Sequence, residues 1–177
     1  IRALMTDRQG RMWVGTRDGE LTAFDASNRP VYTLPRQGRS TGMIYALKED
    51  AAGRIWVGTK GEGLYRLTPD GANGYAVTHF THSDADAYSL SDNQIYCVET
   101  DMRGRIWVAT YGGGINLLED PAGDRFIHAG NQMSHYPLDE AGRVRWLLCD
   151  GAERMFAATV DGLIPVSYTH LTLPTSD

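Results

Sequence analysis

Apolar residues occur along this chain in short runs that are separated by polar turns containing glycine. In the clearest segment, residues 44–49 and 54–59 form two runs of strand length, rich in β-branched and aromatic side chains. The turn between them begins with Asp50 and ends with Gly53. An aspartate can accept backbone N–H groups inside a turn, and glycine can adopt the left-handed conformation that closes it. The pattern predicts a β-hairpin.

The hairpin pattern occurs four times, and successive copies are separated by roughly 40 to 50 residues. One copy ends in Gly53-Arg-Ile-Trp56 and the next in Gly104-Arg-Ile-Trp107. The opening residues and a decayed final copy complete the set. The residues that define the motif in the first three copies are Asp7, Gly10, Trp13, Asp50, Gly53, Trp56, Asp101, Gly104 and Trp107. The final copy has Glu153 in place of the turn glycine and Phe156 in place of the tryptophan.

Each copy continues beyond the hairpin with further strands. A glycine-rich turn follows at residues 60–63 and 111–114, and a third strand follows at 64–67 and 115–118. Weaker patterns at 31–34, 75–81 and 125–129 predict a fourth strand. Four strands in a repeat of this length are typical of a propeller blade. The sequence therefore predicts an all-β fold, a partial β-propeller of four-stranded antiparallel blades.

The second strand of each blade is apolar at consecutive positions, as in Ile55-Trp56-Val57. Such a strand must be covered on both faces, as it is when a blade lies between two others. We expect the tryptophans to fill the gap between neighbouring blades. The small residue two positions later, Gly58 or Ala109, would allow another backbone to approach closely.

The repeats divide the chain into residues 1–42 (blade 1), 43–93 (blade 2 and an inter-blade loop), 94–142 (blade 3) and 143–165 (part of a fourth blade). Residues 166–177 resemble the translation of a transposase adapter used in DNA library preparation, and we expect them to be a non-native tail. A ring left open exposes sheet faces and edges. We therefore expect further blades in the natural protein.

Charge and composition narrow the range of partners. Of 177 residues, 42% are hydrophobic and 22% charged, which is typical of a globular protein. The net charge is −5 and the 17 basic residues are scattered, which argues against a nucleic-acid partner. Two cysteines, Cys97 and Cys149, are too few for a disulfide scaffold, and we expect them to be small buried apolar groups.

The predicted blades place two sets of loops, strand two to strand three and strand four to the next strand one, on the same rim. Loops there converge on the central channel, so this rim is the predicted ligand face. A sugar site needs planar polar groups for hydroxyls and aromatic faces for C–H surfaces. The candidates are Arg39, Tyr45, Lys60, Asn93, Gln94, Tyr96, Tyr111, Arg145 and Trp146.

Catalytic and metal chemistry have weaker support in the sequence. His79 and His82, three apart on a strand, would point to opposite faces, which disfavours chelation. The glycine run at 112–114 is not followed by a helical pattern, so it does not predict a phosphate site. We find no nucleophile motif or positioned pair of carboxylates. We therefore predict no catalytic residue, no metal and no cofactor.

The pattern Asp-x-x-Gly-Arg-Ile-Trp-Val-Gly-Thr, followed by a glycine-rich turn and Leu64-Tyr-Arg-Leu67, resembles the two-component regulator propeller repeat. Residues 88–96 and 111–116 are similar to other segments of that family. The resemblance implies a seven-bladed ring in the periplasmic sensor of a hybrid two-component regulator, followed by a membrane helix and a histidine kinase. It also implies an oligosaccharide ligand. A ligand or a homodimer contact would then bias the signalling helix.

Two other functions remain open. Seven-bladed lyases that open cyclic antibiotic peptides have a similar repeat, but such an enzyme needs acid–base groups, often histidine with a metal, at the channel mouth. The predicted first strands offer Tyr45, Tyr96, Arg145 and Trp146 there, and no histidine. A propeller that only presents its rim to another protein is the third possibility, and the sequence does not separate it from sugar sensing.

Overall fold

The computed structural model describes residues 1–35, 41–151 and 154–166, which form four antiparallel sheets with their strands joined in chain order. We call the sheets blades. The first contains β1 (Ala3–Thr6), β2 (Met12–Gly15), β3 (Leu21–Phe24) and β4 (Pro30–Thr33). The second contains β5 (Met43–Glu49), β6 (Ile55–Lys60), β7 (Leu64–Asp70) and β8 (Gly74–Phe80). The third contains β9 (Ile95–Thr100), β10 (Ile106–Thr110), β11 (Ile115–Leu118) and β12 (Phe126–Ile127).

The fourth blade has three described strands, β13 (Val144–Cys149), β14 (Met155–Thr159) and β15 (Leu163–Val166). A four-residue helix, α1 (Leu138–Ala141), precedes it, and no helix in the described part of the chain is long and apolar enough to cross a membrane. Val166 pairs with Met155, one residue beyond the predicted end of the repeat. The predicted all-β propeller fragment is confirmed, with α1 as a minor addition.

A buried aspartate organises the turn of each complete repeat. One carboxylate oxygen of Asp50 accepts the indole N–H of Trp56 at 2.9 Å and Nε of Arg54 at 2.6 Å. The other accepts the backbone N–H groups of Ala52 and Arg54 at 2.9 and 3.1 Å. Gly53 closes the turn at φ 77°. We call this arrangement the aspartate clamp.

The aspartate clamp recurs in the first and third blades. Asp7 accepts the Trp13 indole N–H at 2.8 Å, and Asp101 accepts the Trp107 indole N–H at 2.8 Å. Burial raises the pKa of Asp7, but hydrogen bonds from Trp13 and Arg11 outweigh it and hold the pKa below its usual value. The fourth blade keeps the arginine on Asp150 at 2.7 Å but has Phe156 in place of the indole donor.

The tryptophan held by each clamp lies at a blade interface, as the sequence predicted. Trp56 is fully buried and belongs to a cluster formed by residues of the second and third blades. Phe80 stacks near it with ring centroids 6.3 Å apart, and Ile95, Val98 and Ile106 complete the cluster from the next blade. The clamp therefore couples turn geometry to the packing of one blade on the next.

The small residue two positions after each tryptophan accommodates a side chain, whereas the sequence had suggested a close backbone. A Cβ on Gly58 would fall 2.6 Å from Cγ2 of Ile95 and 3.0 Å from Cβ of Ala46. A Cβ on Gly15 would fall 2.5 Å from Cγ2 of Ile44. At the third interface Ala109 shares a buried cluster with the smaller Val144. Relative to Gly58, Ala109 adds one methyl group to the interface, and relative to Ile95, Val144 removes one.

The first strands β1, β5, β9 and β13 lie next to one another and line a shared concave surface. The array is open, so two blade faces are exposed. Ile1, Leu4 and Met12 are exposed on the first blade, and an apolar patch is exposed on the fourth. That patch is formed by Trp146, Leu148, Phe156, Ala158 and Leu163.

Replacing Asp50 tests the aspartate clamp. We expect Asp50→Ala to lower the free energy of unfolding by about 3 kcal/mol, because it leaves the buried Trp56 indole and Arg54 without their acceptor. The matched control is Asp25→Ala. Asp25 accepts Arg29 Nε at 2.9 Å in a similar but exposed turn. Equal losses in urea unfolding for the two variants would contradict a special role for the indole.

The glycine–isoleucine contact can be tested by a double-mutant cycle. We expect Gly58→Ala to cost roughly 1–3 kcal/mol because the new methyl group overpacks the interface. Adding Ile95→Val should recover part of that loss, as in the Ala109–Val144 pair. Gly151→Ala is the control, since a Cβ on Gly151 would meet no atom within 4 Å. A Gly58→Ala variant as stable as Gly151→Ala would contradict the contact.

Candidate ligand-binding site

The turns between second and third strands are joined to the segments that lead into the next blade. Gly61 and Gly63 both donate their backbone N–H to the Asn93 carbonyl, at 3.1 and 3.0 Å. In the third blade, Tyr111 N–H donates at 3.0 Å to the carbonyl of Gln94, which leads into that same blade. Gly114 N–H donates at 2.9 Å to the carbonyl of Gly142, which leads into the fourth blade. The two sets of loops therefore share one rim.

Three tyrosines stack along this rim at the inner edge of the blades. The rings of Tyr45 and Tyr96 have centroids 4.8 Å apart at an interplanar angle of 30°, and those of Tyr96 and Tyr111 are 4.9 Å apart at 24°. The Arg2 guanidinium lies 5.9 Å from the Tyr45 centroid, and that of Arg145 lies 5.4 Å from the Tyr111 centroid. We call these five residues the channel-mouth stack.

A repeated β-bulge sets the position of the stack. In the second blade, Ile44 pairs with Thr59 and Ala46 with Gly58, so Tyr45 has no residue opposite it. Tyr96 is skipped in the same way in the third blade, and Arg145 in the fourth. A bulged residue leaves the regular alternation of the strand, and its side chain is re-aimed. The bulge therefore turns one residue per blade towards the channel mouth.

Arg2 occupies the equivalent place in the first blade. It directly precedes Ala3, which pairs with Gly15 as Ala46 pairs with Gly58. The sequence analysis did not select Arg2, although its position directly after Ile1 matches that of Tyr45 after Ile44. Aligning all four repeats at this column would have found it.

Stacking changes what the tyrosines can offer to a ligand. Tyr96 lies between Tyr45 and Tyr111, so its ring faces are covered and it presents its edge and hydroxyl. The sequence had suggested open stacking faces here. Burial is the main factor that raises the pKa of Tyr96, so its hydroxyl is neutral at pH 7 and can donate or accept a hydrogen bond.

Trp146 provides the open aromatic face that the tyrosines lack. Its side chain is 62% exposed, and it borders the concave surface of about 310 Å³ between the first strands. The equivalent residues in the other blades are Ala3, Ala46 and Cys97, all buried. A large aromatic residue therefore stands where three other blades have a small one. We call this concave surface the inner groove.

The remaining sequence-predicted residues are distributed along the same rim. Lys60 is exposed and forms an isolated bridge to Gln94. The side-chain oxygen of Asn93 accepts the backbone N–H of His82 at 2.7 Å, so Asn93 has a structural bond as well as its rim position. Arg39 lies outside the described residues.

The arginines at the inner groove, unlike those of the clamps, are not paired with a carboxylate of the described residues. Deeper in the groove, Lys48 and Glu99 form an ion pair across neighbouring blades. Arg2 and Arg145 form no ion pair with a carboxylate of the described residues, and both are exposed. The only side-chain hydrogen bond of Arg145 among those residues is a long one, 3.5 Å from Nη2 to the Tyr111 hydroxyl.

The histidines that the sequence considered for metal binding have other contacts. His79 stacks on Tyr65 with centroids 4.1 Å apart. His82 places Nδ1 2.6 Å from the Leu90 carbonyl and Nε2 3.1 Å from Asp84, and these contacts raise its pKa. Among residues 1–35, 41–151 and 154–166, no three His, Cys, Asp or Glu side chains are grouped so as to hold a metal ion.

Comparison with solved structures finds the same fold in extracellular domains of putative bacterial two-component systems. The extracellular domain of a putative hybrid two-component system from B. thetaiotaomicron is 22% identical, with a TM-score of 0.75. That of a second such system from the same organism is 20% identical, with a TM-score of 0.70. The alignments cover 94% and 97% of this chain but only 23% of each of those proteins. The chain thus spans about a quarter of their length.

A lyase shares the fold at lower identity. Virginiamycin B lyase from Staphylococcus aureus is 13% identical, with a TM-score of 0.67, and the alignment covers 97% of this chain and 55% of the lyase. Comparison with curated protein sequences finds no match. At these identities, the structural similarities establish the fold alone.

The segments of this chain that match a family model include the aspartate clamps and part of the rim. Residues 1–18, 38–61 and 89–112 match the family model of the two component regulator propeller. These three segments contain the clamp aspartates Asp7, Asp50 and Asp101 and four of the five residues of the channel-mouth stack. Three segments of this chain, one for each of the first three blades, therefore match the two-component regulator propeller repeat.

Proposed function

We propose that this chain is the ligand-sensing part of a bacterial hybrid two-component regulator, that it lies in the periplasm, and that it binds an oligosaccharide. The observation that carries the proposal is the channel-mouth stack beside the open face of Trp146. The three segments that match the two-component regulator propeller repeat, and the extracellular domains that share the fold, support the sensor role and the location.

The groups at the channel mouth suit a sugar chain. Guanidinium groups and tyrosine hydroxyls can hydrogen-bond to pairs of hydroxyls, and an exposed indole can pack on the C–H face of a pyranose ring. Because bulges on three packed strands position Tyr45, Tyr96 and Arg145, these groups are arranged before the ligand arrives. Pre-arranged side chains lose less conformational freedom on binding.

Signalling would depend on the rest of the regulator. We expect further blades of the same polypeptide to pack against Leu148, Phe156 and Leu163 of the apolar patch and to leave the Trp146 face open to the inner groove. We also expect a membrane helix and a histidine kinase to follow in the natural protein. Contacts between blades would transmit a structural change at the rim from one blade to the next. The Lys48–Glu99 pair and the cluster around Trp56, for example, both join the second blade to the third. A ligand or a homodimer contact at the rim would bias these contacts.

A lyase-type activity has less support from the channel mouth. The four equivalent first-strand positions hold Arg2, Tyr45, Tyr96 and Arg145, which are not the histidines that metal-assisted elimination would use. The adaptor alternative predicts binding of a protein to the rim and no binding of sugars. Loss of a metal-dependent activity on replacing His82 or His135 would favour the lyase.

Calorimetric titration of the chain with a panel of oligosaccharides tests the proposal. We expect at least one to bind, and Trp146→Ala to weaken that binding roughly tenfold, which is about 1.4 kcal/mol. Thermal stability should change little because Trp146 is largely exposed.

The matched control is Met102→Ala, which removes an exposed apolar side chain (65% exposed) from a turn on the opposite rim. It should leave binding unchanged. The absence of heat across the whole panel would refute oligosaccharide sensing by this chain and favour the adaptor. Equal effects of the two substitutions would refute the site.

A further inference from the structure

We infer that the ligand of the channel-mouth stack is an anionic oligosaccharide, with carboxylate or sulfate groups that bind Arg2 and Arg145. This inference rests on the proposed oligosaccharide-sensing function and adds the chemical class of the ligand. It is carried by the position, exposure and partners of the two arginines.

Most arginines elsewhere in the described chain have an acidic partner. Arg11, Arg54 and Arg105 bind the clamp aspartates. Arg8 pairs with Glu49, Arg29 with Asp25, Arg143 with Asp161 and Arg154 with Asp150. With a net charge of −5, the chain has more acidic than basic side chains. Arg17, Arg66 and Arg125 also form no ion pair among the described residues. What distinguishes Arg2 and Arg145 is that both are exposed and lie at the two ends of one tyrosine stack.

The two arginines stand at equivalent positions of the first and fourth blades, at opposite ends of the tyrosine stack. Each guanidinium lies over one face of a tyrosine ring, which holds it by a cation–π contact and leaves its N–H donors available. A guanidinium presents two parallel donors that match a carboxylate or a sulfate. Each end of the stack therefore presents N–H donors that can bind an oxyanion.

Spacing argues for a chain of sugars over a single small anion. Three tyrosine rings, at successive centroid distances of 4.8 and 4.9 Å, separate the two guanidinium groups. A single carboxylate cannot reach both ends, whereas an oligomer with charges on several units can. The tyrosine hydroxyls and the Trp146 face would meet its neutral parts.

The decisive experiment is a calorimetric titration with a galacturonate tetramer, a neutral galactose tetramer, a sulfated galactose tetramer and the galacturonate monomer. We expect one or both charged tetramers to bind at least tenfold more tightly than the neutral one, and the monomer to bind far more weakly. Raising the salt concentration should reduce that preference, because exposed charge contacts are screened.

Arg2→Gln and Arg145→Gln should each remove most of the preference for the charged tetramers. Arg103→Gln, in an exposed turn on the opposite rim, is the matched control and should retain it. Thermal unfolding of each variant checks the fold. If one variant fails to fold, the other variant and the salt dependence still test the inference.

The outcomes separate the two proposals. Equal binding of neutral and charged tetramers, or a preference that survives both arginine substitutions, would overturn the anionic class and leave oligosaccharide sensing in place. Monomer binding as tight as tetramer binding would overturn the oligomeric ligand. If no sugar in this set or in the wider panel binds, the proposed function itself fails.

Discussion

The structure depends on one buried carboxylate in each complete blade. Asp50 and its equivalents join a turn, an arginine and an indole N–H that would otherwise be buried without partners. Because the indole also fills the space between blades, the same carboxylate fixes both the hairpin and the orientation of the next sheet. Buried polar networks of this kind are strong only when every member is satisfied. The fourth repeat has Phe156 in place of the tryptophan, and it retains the contact of Arg154 with Asp150 but has no indole N–H.

Packing between blades in turn determines the geometry of the rim. The first strands are brought so close that Gly58 has room for no side chain of its own beside Ile95. At that distance, residues at the same column of successive first strands come into contact, and Tyr45 and Tyr96 stack. The channel-mouth stack is therefore a consequence of blade spacing, and its functional groups are held by the core.

Much of this could be predicted from the sequence. The spaced aspartate, glycine and tryptophan gave the hairpins, the inter-blade tryptophans and the rim that carries Lys60, Gln94 and Tyr111. The indole–carboxylate bond was not predicted, because spacing alone does not show which way a buried ring is turned. The bulges were missed for a related reason, since an unpaired residue breaks the alternation on which strand prediction depends. Consequently the tyrosines were expected to offer open faces, and Arg2 was overlooked.

The repeated bulge has an evolutionary consequence. Tyr45, Tyr96 and Arg145 are each skipped by the ladder of their own blade, and their side chains lie outside the three buried clusters. A replacement at such a place disturbs neither strand pairing nor the interior. Selection could then exchange one side chain per blade and obtain new recognition properties on an unaltered framework. Arginine and tyrosine are then the residues that this chain has at the bulged position of the first strands, where the same fold could accept many others.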